Sequence, residues 1–210
     1  MKRYTLELTV FITGAVIMIL ELVGSRILAP HLGTSIYVWT SIIGVILGSL
    51  SLGYWLGGKI ADQGARHDIL SFILFIGGLS IAFVVVANGV VLNVIEKTPF
   101  DIRWQAVFSS LILLAPASIL LGCVAPYAAR LKLSNMETSG RTVGNLYALS
   151  TVGSIFGTFL TGFYLLAWFG VTKILFLLSL TLILFSILGF RGSRTKTRVG
   201  LLLLLIAVSA

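Results

Sequence analysis

Six apolar runs, each long enough to cross a bilayer as a helix, dictate what this chain can fold into. They fall at about Tyr4–Ala29, Tyr37–Gly58, Ile69–Ile95, Trp104–Ala129, Thr142–Trp168 and Val171–Phe190. About 20 apolar residues cover the ~30 Å of hydrocarbon, and a helix satisfies all its backbone polar groups within one segment. Charged residues make up 10% of the 210, against roughly 25% in a soluble domain. That is too few to cover a water-facing surface. A soluble enzyme is excluded, and so is a disordered chain, which needs low apolar content. The prediction is an all-α, polytopic membrane helix bundle with six complete transmembrane helices. A seventh run, Val199–Ala210, has only 12 residues, about 18 Å of helix at ~1.5 Å per residue. It is too short to span. The expected organisation is a six-helix transmembrane domain over 1–190, then a basic loop and incomplete seventh apolar segment over 191–210.

Lysine and arginine set the expected orientation. Eleven fall in segments on one side: Lys2, Arg3, Lys59, Arg66, Arg130, Lys132, Arg141, Arg191, Arg194, Lys196 and Arg198. Four fall on the other: Arg26, Lys97, Arg103 and Lys173. The N-terminus is therefore predicted to be cytoplasmic, in a multi-pass protein of the inner (cytoplasmic) membrane. The first run reads as a retained signal anchor, because it is long, contains Glu21 and Arg26, and exits through Ala29-Pro30. The net charge of +8 follows from this bias and from attraction to anionic headgroups. The basic run Arg191–Arg198 is accordingly assigned to the lipid bilayer and not to nucleic acid. A lone Cys123, with His31 and His67 far apart, offers no disulfide and no metal cluster. No metal and no cofactor is expected.

Small residues mark two spans for close packing. In the second, Ser41, Gly44, Gly48, Ser51 and Gly58 share a stripe beside Gly53-x-x-x-Gly57. In the fifth, Gly144, Ala148, Thr151, Ser154 and Thr158 accompany Gly153-x-x-x-Gly157. Small residues let helix backbones approach in lipid; the result is either a tight interface or a pair of helices that slide, as in transporters. In the fourth span Pro116 and Pro126 crowd the carbonyls of Ile112 and Gly122. Each predicts a helix kink, either packed or lining a cavity. Ala29-Pro30 with Ala125-Pro126, and Gly48-Ser49 with Gly153-Ser154, hint at an inverted three-plus-three repeat.

Glu21 is the carboxylate deepest inside a predicted span, about a third of the way from the outer face. A charge there costs at least ~2.5–3.5 kcal/mol on insertion scales and must be paired or hydrated. Gly14, Met18, Glu21 and Ser25 share a helical face that would point inward, with Arg26 as a loose partner. The acid is a structural anchor or a cation or proton site. Lys59, Asp62 and Arg66 form a cytoplasmic cluster beside Trp55, Gly58 and Gly64. Arg130, Lys132 and Arg141 could close on Asp62 as a charge latch, or the cluster is a solvated loop. Asn145, Tyr147, Ser150 and Thr151 enter span five behind Arg141 as hydrogen-bonding or ligand candidates. His31, Tyr37 and Trp39 mark the outer interface. No phosphate loop, dinucleotide fingerprint or H-E-x-x-H is present, so no catalytic residue is assigned.

Several ordered blocks resemble a known family. Glu21-Leu-Val-Gly-Ser-Arg-Ile-Leu-Ala-Pro30, Tyr37-Val-Trp-Thr40, Ser51-Leu-Gly-Tyr-Trp-Leu-Gly-Gly58 with Ala61-Asp62, Leu121-Gly-Cys-Val-Ala-Pro-Tyr127 and Gly144–Thr158 are similar to the membrane domain of fused major-facilitator/spermidine-synthase-like proteins. The resemblance runs from about Thr13 to Val171. It implies a bundle like half of a major facilitator, followed in the family by a cytosolic aminopropyltransferase-like domain. The chain stops at Ala210, and no residue matches that domain's motifs. Any transferase activity is therefore expected elsewhere, in a domain or partner encoded downstream. The turn with Gly58 and Asp62 resembles the facilitator loop after helix two, with Gly64 one position early.

Two functions follow from the resemblance. One is a module that binds or moves a small cationic metabolite such as a polyamine; six spans then need a second copy, making a homodimer, or another arrangement. The other is a non-transporting anchor or scaffold for the aminopropyltransferase-like domain. A split reading frame, suggested by the short last run, would leave that domain next door.

Overall fold

Long apolar segments with few charges lower their energy by closing their backbone hydrogen bonds within themselves, and the described residues are almost entirely helical. The computed structural model describes residues 5–133 and 139–188. Its helices are α1 (Thr5–Leu32), α2 (Ile36–Asp62), α3 (His67–Glu96), α4 (Ile102–Leu113), α5 (Ala115–Lys132), α6 (Ser139–Leu160), a π-helical turn (Thr161–Leu165), α7 (Leu166–Trp168) and α8 (Val171–Leu188). No strand occurs among the described residues. The connection from α1 to α2 is short because Gly33 takes φ +75°, a conformation that glycine adopts without steric cost.

Four stretches are long and apolar enough to cross a membrane: α1, α2, α3 and the continuous Ser139–Trp168. The α4–α5 pair, bent by 55°, makes a fifth if it counts as one span. This fits a multi-pass membrane protein. The sixth run appears as α8, an apolar helix of 18 residues, about 27 Å at ~1.5 Å per residue. The basic loop and seventh run at 191–210, with Lys2 and Arg3, lie outside the described residues.

The two prolines behave differently. Pro116 is the second residue of α5, and the chain breaks just before it at Leu114. The Leu114 N–H closes α4 on Ser110 O at 2.8 Å, and the Leu114 carbonyl accepts from Ser118 N at 3.1 Å. Around the bend the buried hydroxyls of Ser109, Ser110 and Ser118 have no hydrogen-bond partner among the described residues. Pro126 sits inside a continuous α5, so unlike Pro116 it does not divide the helix. One turn before it, Gly122 and Cys123 press on α2, and that contact supports the axis where the proline removes a hydrogen bond.

Three helix pairs build the core. The α1–α6 crossing is sealed by glycine: a Cβ on Gly153 would strike the Phe11 carbonyl, one on Gly157 the Ala15 backbone, and one on Gly14 the Ser150 carbonyl. Ser154 Oγ donates to Gly14 O at 3.1 Å across it. The α2–α5 crossing uses Gly53 against the Ile119 carbonyl, Gly57 against the Cys123 backbone, and Gly122 against Leu50. Residue numbers rise together across both crossings, so each pair runs parallel. The α3–α8 pair is antiparallel, with Gly78 against Ser179 and Ile183, and Ser186 Oγ donating to Ser71 O at 2.7 Å.

These pairings are unchanged when the first three helices exchange places with α4–α5, α6 and α8. Gly53 and Gly57 become Gly153 and Gly157, Gly122 becomes Gly14, and the first crossing becomes the second. The α3–α8 pair maps onto itself. Since α1 and α5 run in opposite directions, the halves are inverted. The carriers of this repeat are not the dipeptides in the sequence. Gly48 meets nothing within 4 Å whereas Gly153 is sealed against α1, and Pro30 and Pro126 occupy different levels of their crossings. The two small-residue stripes also part company. Gly53, Gly57, Gly153 and Gly157 are packed, but a Cβ on Gly44, Gly48, Gly58 or Gly144 would meet open space.

Candidate functional site

Six carboxylates are described, and five sit at helix ends with a basic partner. Glu7 pairs with Lys132, Asp62 with Arg130, Asp68 with Arg66, Glu96 with His31 and Asp101 with Arg103. Glu21 is the exception. It lies half-buried inside α1 and has no ion pair or hydrogen bond among the described residues. On its helical stripe Gly14 and Ser25 are buried and Met18 is half-buried. The Ser25 hydroxyl is spent on Leu22 O at 2.7 Å. Arg26 is exposed and makes no bond to Glu21.

The parallel crossing fixes what stands opposite. With Phe11 level with Gly153 and Ala15 with Gly157, Glu21 lies level with the π turn. That turn widens the helix after Leu160 and buries Thr161, whose hydroxyl donates to Gly157 O at 2.7 Å. π-helical turns concentrate at functional sites, and nothing in Thr-Gly-Phe-Tyr-Leu announced this one. The α6 candidates lie elsewhere. Asn145 is about 27 Å from Glu21 along the parallel axes at ~1.5 Å per residue. Asn145, Tyr147 and Thr151 are exposed, and the Thr151 hydroxyl donates to Tyr147 O at 3.0 Å. Ser150 alone joins α1, through the carbonyl that faces Gly14. The sequence-based ligand set therefore divides into an α1 group beside the π turn and an α6 group at the far end.

No protein-family model, curated protein or solved structure matches the chain. Its chemistry has to be read from its own residues.

At the end of α2 the charged residues distribute among several partners. Arg130 Nε lies 3.7 Å from Asp62 Oδ1, with both side chains largely exposed, which makes a weak bridge. Arg66 bonds Asp68 at 3.3 Å, Lys59 lies over the Trp55 ring at 5.1 Å, and Lys132 is taken by Glu7. Arg141 makes no bond among the described residues. The firmer fastening is Tyr127, which the sequence did not single out. Its fully buried hydroxyl accepts from Arg66 N at 2.9 Å and donates to Arg66 O at 3.2 Å, clipping the α2–α3 turn to α5. Tyr127→Phe is expected to lower stability by about 1 kcal/mol, since it leaves the Arg66 N–H without its partner while the Arg66 carbonyl keeps Ile69 and Leu70. Thermal unfolding in detergent measures this, and an unchanged midpoint would mean that the clip contributes nothing.

Two recesses flank the bundle. A groove of about 750 Å³ between α2 and α4 is lined by Tyr37, Gly44, Gly48, Leu52, Arg103 and Leu111, among others. The Arg103 guanidinium stacks 4.7 Å from the Tyr37 ring at its mouth. A smaller recess of about 350 Å³ brings Ser25 and Arg26 together with Gly33, Thr34, Trp39 and Gly162 of the π turn. Glu21 lines neither. The links from His31 to Glu96, at 2.9 Å, and from Lys132 to Glu7 escaped sequence reading. Both join residues far apart in the chain, where no local spacing reports them.

Proposed function

We propose that this chain is the membrane module of a system resembling the fused major-facilitator/spermidine-synthase-like proteins, and that it handles a small cation through Glu21. The observation that carries the reading is the half-buried carboxylate of Glu21, which has no partner among the described residues, whereas the other described acids are all paired. An isolated carboxylate at membrane depth attracts a cation or a proton. The inverted pairing of helices supports the half-facilitator part of the proposal, because transporters place binding sites at the interface of such repeats. Six spans with an N-terminus inside, and a second copy completing the path, belong to the same proposal. On α6 only Leu146, Gly153 and Gly157 are buried, which leaves a face bearing Asn145, Tyr147 and Thr151 for that copy.

Proteoliposomes loaded with the purified protein test this by uptake of labelled polyamine. Glu21→Gln, nearly isosteric, is expected to reduce uptake at least tenfold while leaving the stability within about 0.5 kcal/mol of wild type. Equal uptake by both proteins sinks the cation site. The glycine-sealed crossings favour the second reading, a rigid anchor for an aminopropyltransferase-like domain, and that reading predicts no uptake by either protein.

A further inference from the structure

The two crossings are equivalent in the repeat, yet their far ends are finished differently. At the end of α2 the Tyr127 clip and, more weakly, the Asp62–Arg130 bridge tie the crossed helices together. The corresponding end of the other crossing, where α1 passes the π turn, has Gly162 at the place of Asp62. There the smaller recess opens.

Its lining is rich in donors and lacks acid. Arg26 supplies a guanidinium with no ion pair or hydrogen bond among the described residues. The Thr34 hydroxyl and the Trp39 indole N–H likewise bond nothing among them. No aspartate or glutamate lines the recess. The start of α2 adjoins it, and Ser35 there makes no side-chain cap, so the first N–H groups of a 27-residue helix add positive potential. Ser35 Oγ is itself buried without a partner among the described residues. The remaining wall, Leu22, Ala29, Val38 and Leu166, is apolar. A planar guanidinium, a hydroxyl and an indole N–H around one recess suit the oxygens of a phosphate ester.

We propose that the Arg26–Trp39 recess binds the phosphate of a phosphate ester, carried either by an anionic lipid headgroup or by a soluble metabolite. The site is independent of the cation reading at Glu21, and each can fail alone. An arginine at a membrane boundary commonly extends toward headgroups. What distinguishes this one is the recess around it, with two further free donors and a helix start.

Native mass spectrometry of the full chain in non-ionic detergent tests the proposal in three arms. The probes are phosphatidylglycerol, diacylglycerol with the same acyl chains, and glycerol phosphate as competitor. Wild-type protein is expected to retain phosphatidylglycerol and not diacylglycerol. Arg26→Gln is expected to weaken retention about tenfold or more, the loss of a charge-assisted hydrogen bond. Arg141→Gln, at the opposite end of α6, removes the same charge and changes nothing. Displacement by glycerol phosphate identifies a soluble ester as the ligand, and resistance to it identifies the lipid. Equal retention of the two lipids, or full retention by Arg26→Gln, overturns the proposal. Trp39→Phe keeps an aromatic ring and removes the indole donor, so unchanged retention in that variant overturns it even where Arg26→Gln fails to fold.

Discussion

Gly53→Ala and Gly153→Ala should each destabilise the detergent-purified protein by about 2–3 kcal/mol, near the upper range for overpacking. The added methyl at 153 would collide with the Phe11 carbonyl, and that at 53 with the Ile119 carbonyl. Both obstacles are backbone, so no rotamer change relieves them. The helices must separate, and at the first crossing separation also stretches the Ser154–Gly14 hydrogen bond. Gly48→Ala and Gly144→Ala are the controls, since a Cβ at either position meets nothing within 4 Å. These two should unfold at or above the wild-type temperature, because alanine exceeds glycine in helix propensity by up to ~1 kcal/mol. Differential scanning fluorimetry separates the sets. Four indistinguishable midpoints would remove the crossings as the basis of the fold.

A second large effect is expected at the pair that joins the start of α1 to the end of α5. Lys132 Nζ lies 2.6 Å from Glu7 Oε1, with the two side chains only 31% and 22% exposed. Partial burial weakens solvent screening, so this bridge is worth more than a surface pair. Lys132→Glu replaces the attraction by repulsion between two partly desolvated carboxylates, and a loss of about 2–3 kcal/mol follows, below the range for fully buried pairs. The exchange Glu7→Lys with Lys132→Glu should recover most of it. A double-mutant cycle reads the coupling, and strictly additive single effects would show that the two charges do not interact.

The fold was legible where physics is local. Runs of apolar residues fix where helices lie, and each of the six corresponds to described helix to within a few residues. What composition could not reveal was the departure from regularity. A proline announces a possible break, but whether it divides the helix depends on tertiary context: α5 runs on through Pro126 where it packs on α2, whereas the chain divides before Pro116 at Leu114, which packs on Gly24 of α1. The glycine stripes were visible as stripes; which half of each would be packed depended on a partner a hundred residues away. For the site, Glu21 stood out because a charge in an apolar run is costly wherever the helix goes. Its separation from Asn145 and Tyr147 was hidden, since that distance is set by the parallel register of α1 and α6 and not by spacing along the chain. The π turn carries no local signal, and Tyr127, though it closes the Leu121–Tyr127 block, gives none of its bond to Arg66.

The interleaving of the halves has a consequence for biogenesis. The middle helix of each half closes on the first helix of the other, so neither group of three can finish its interior unaided. During synthesis α2 is complete at Asp62, whereas the glycines that seal α1 arrive at 153 and 157. At ~5–20 residues per second, roughly 90 residues of elongation leave α1 exposed to lipid or to insertion machinery for about 5–20 s. Assembly of this bundle is therefore deferred until its second half has entered the membrane, and a ribosome that stalls between the halves releases helices with unsealed grooves.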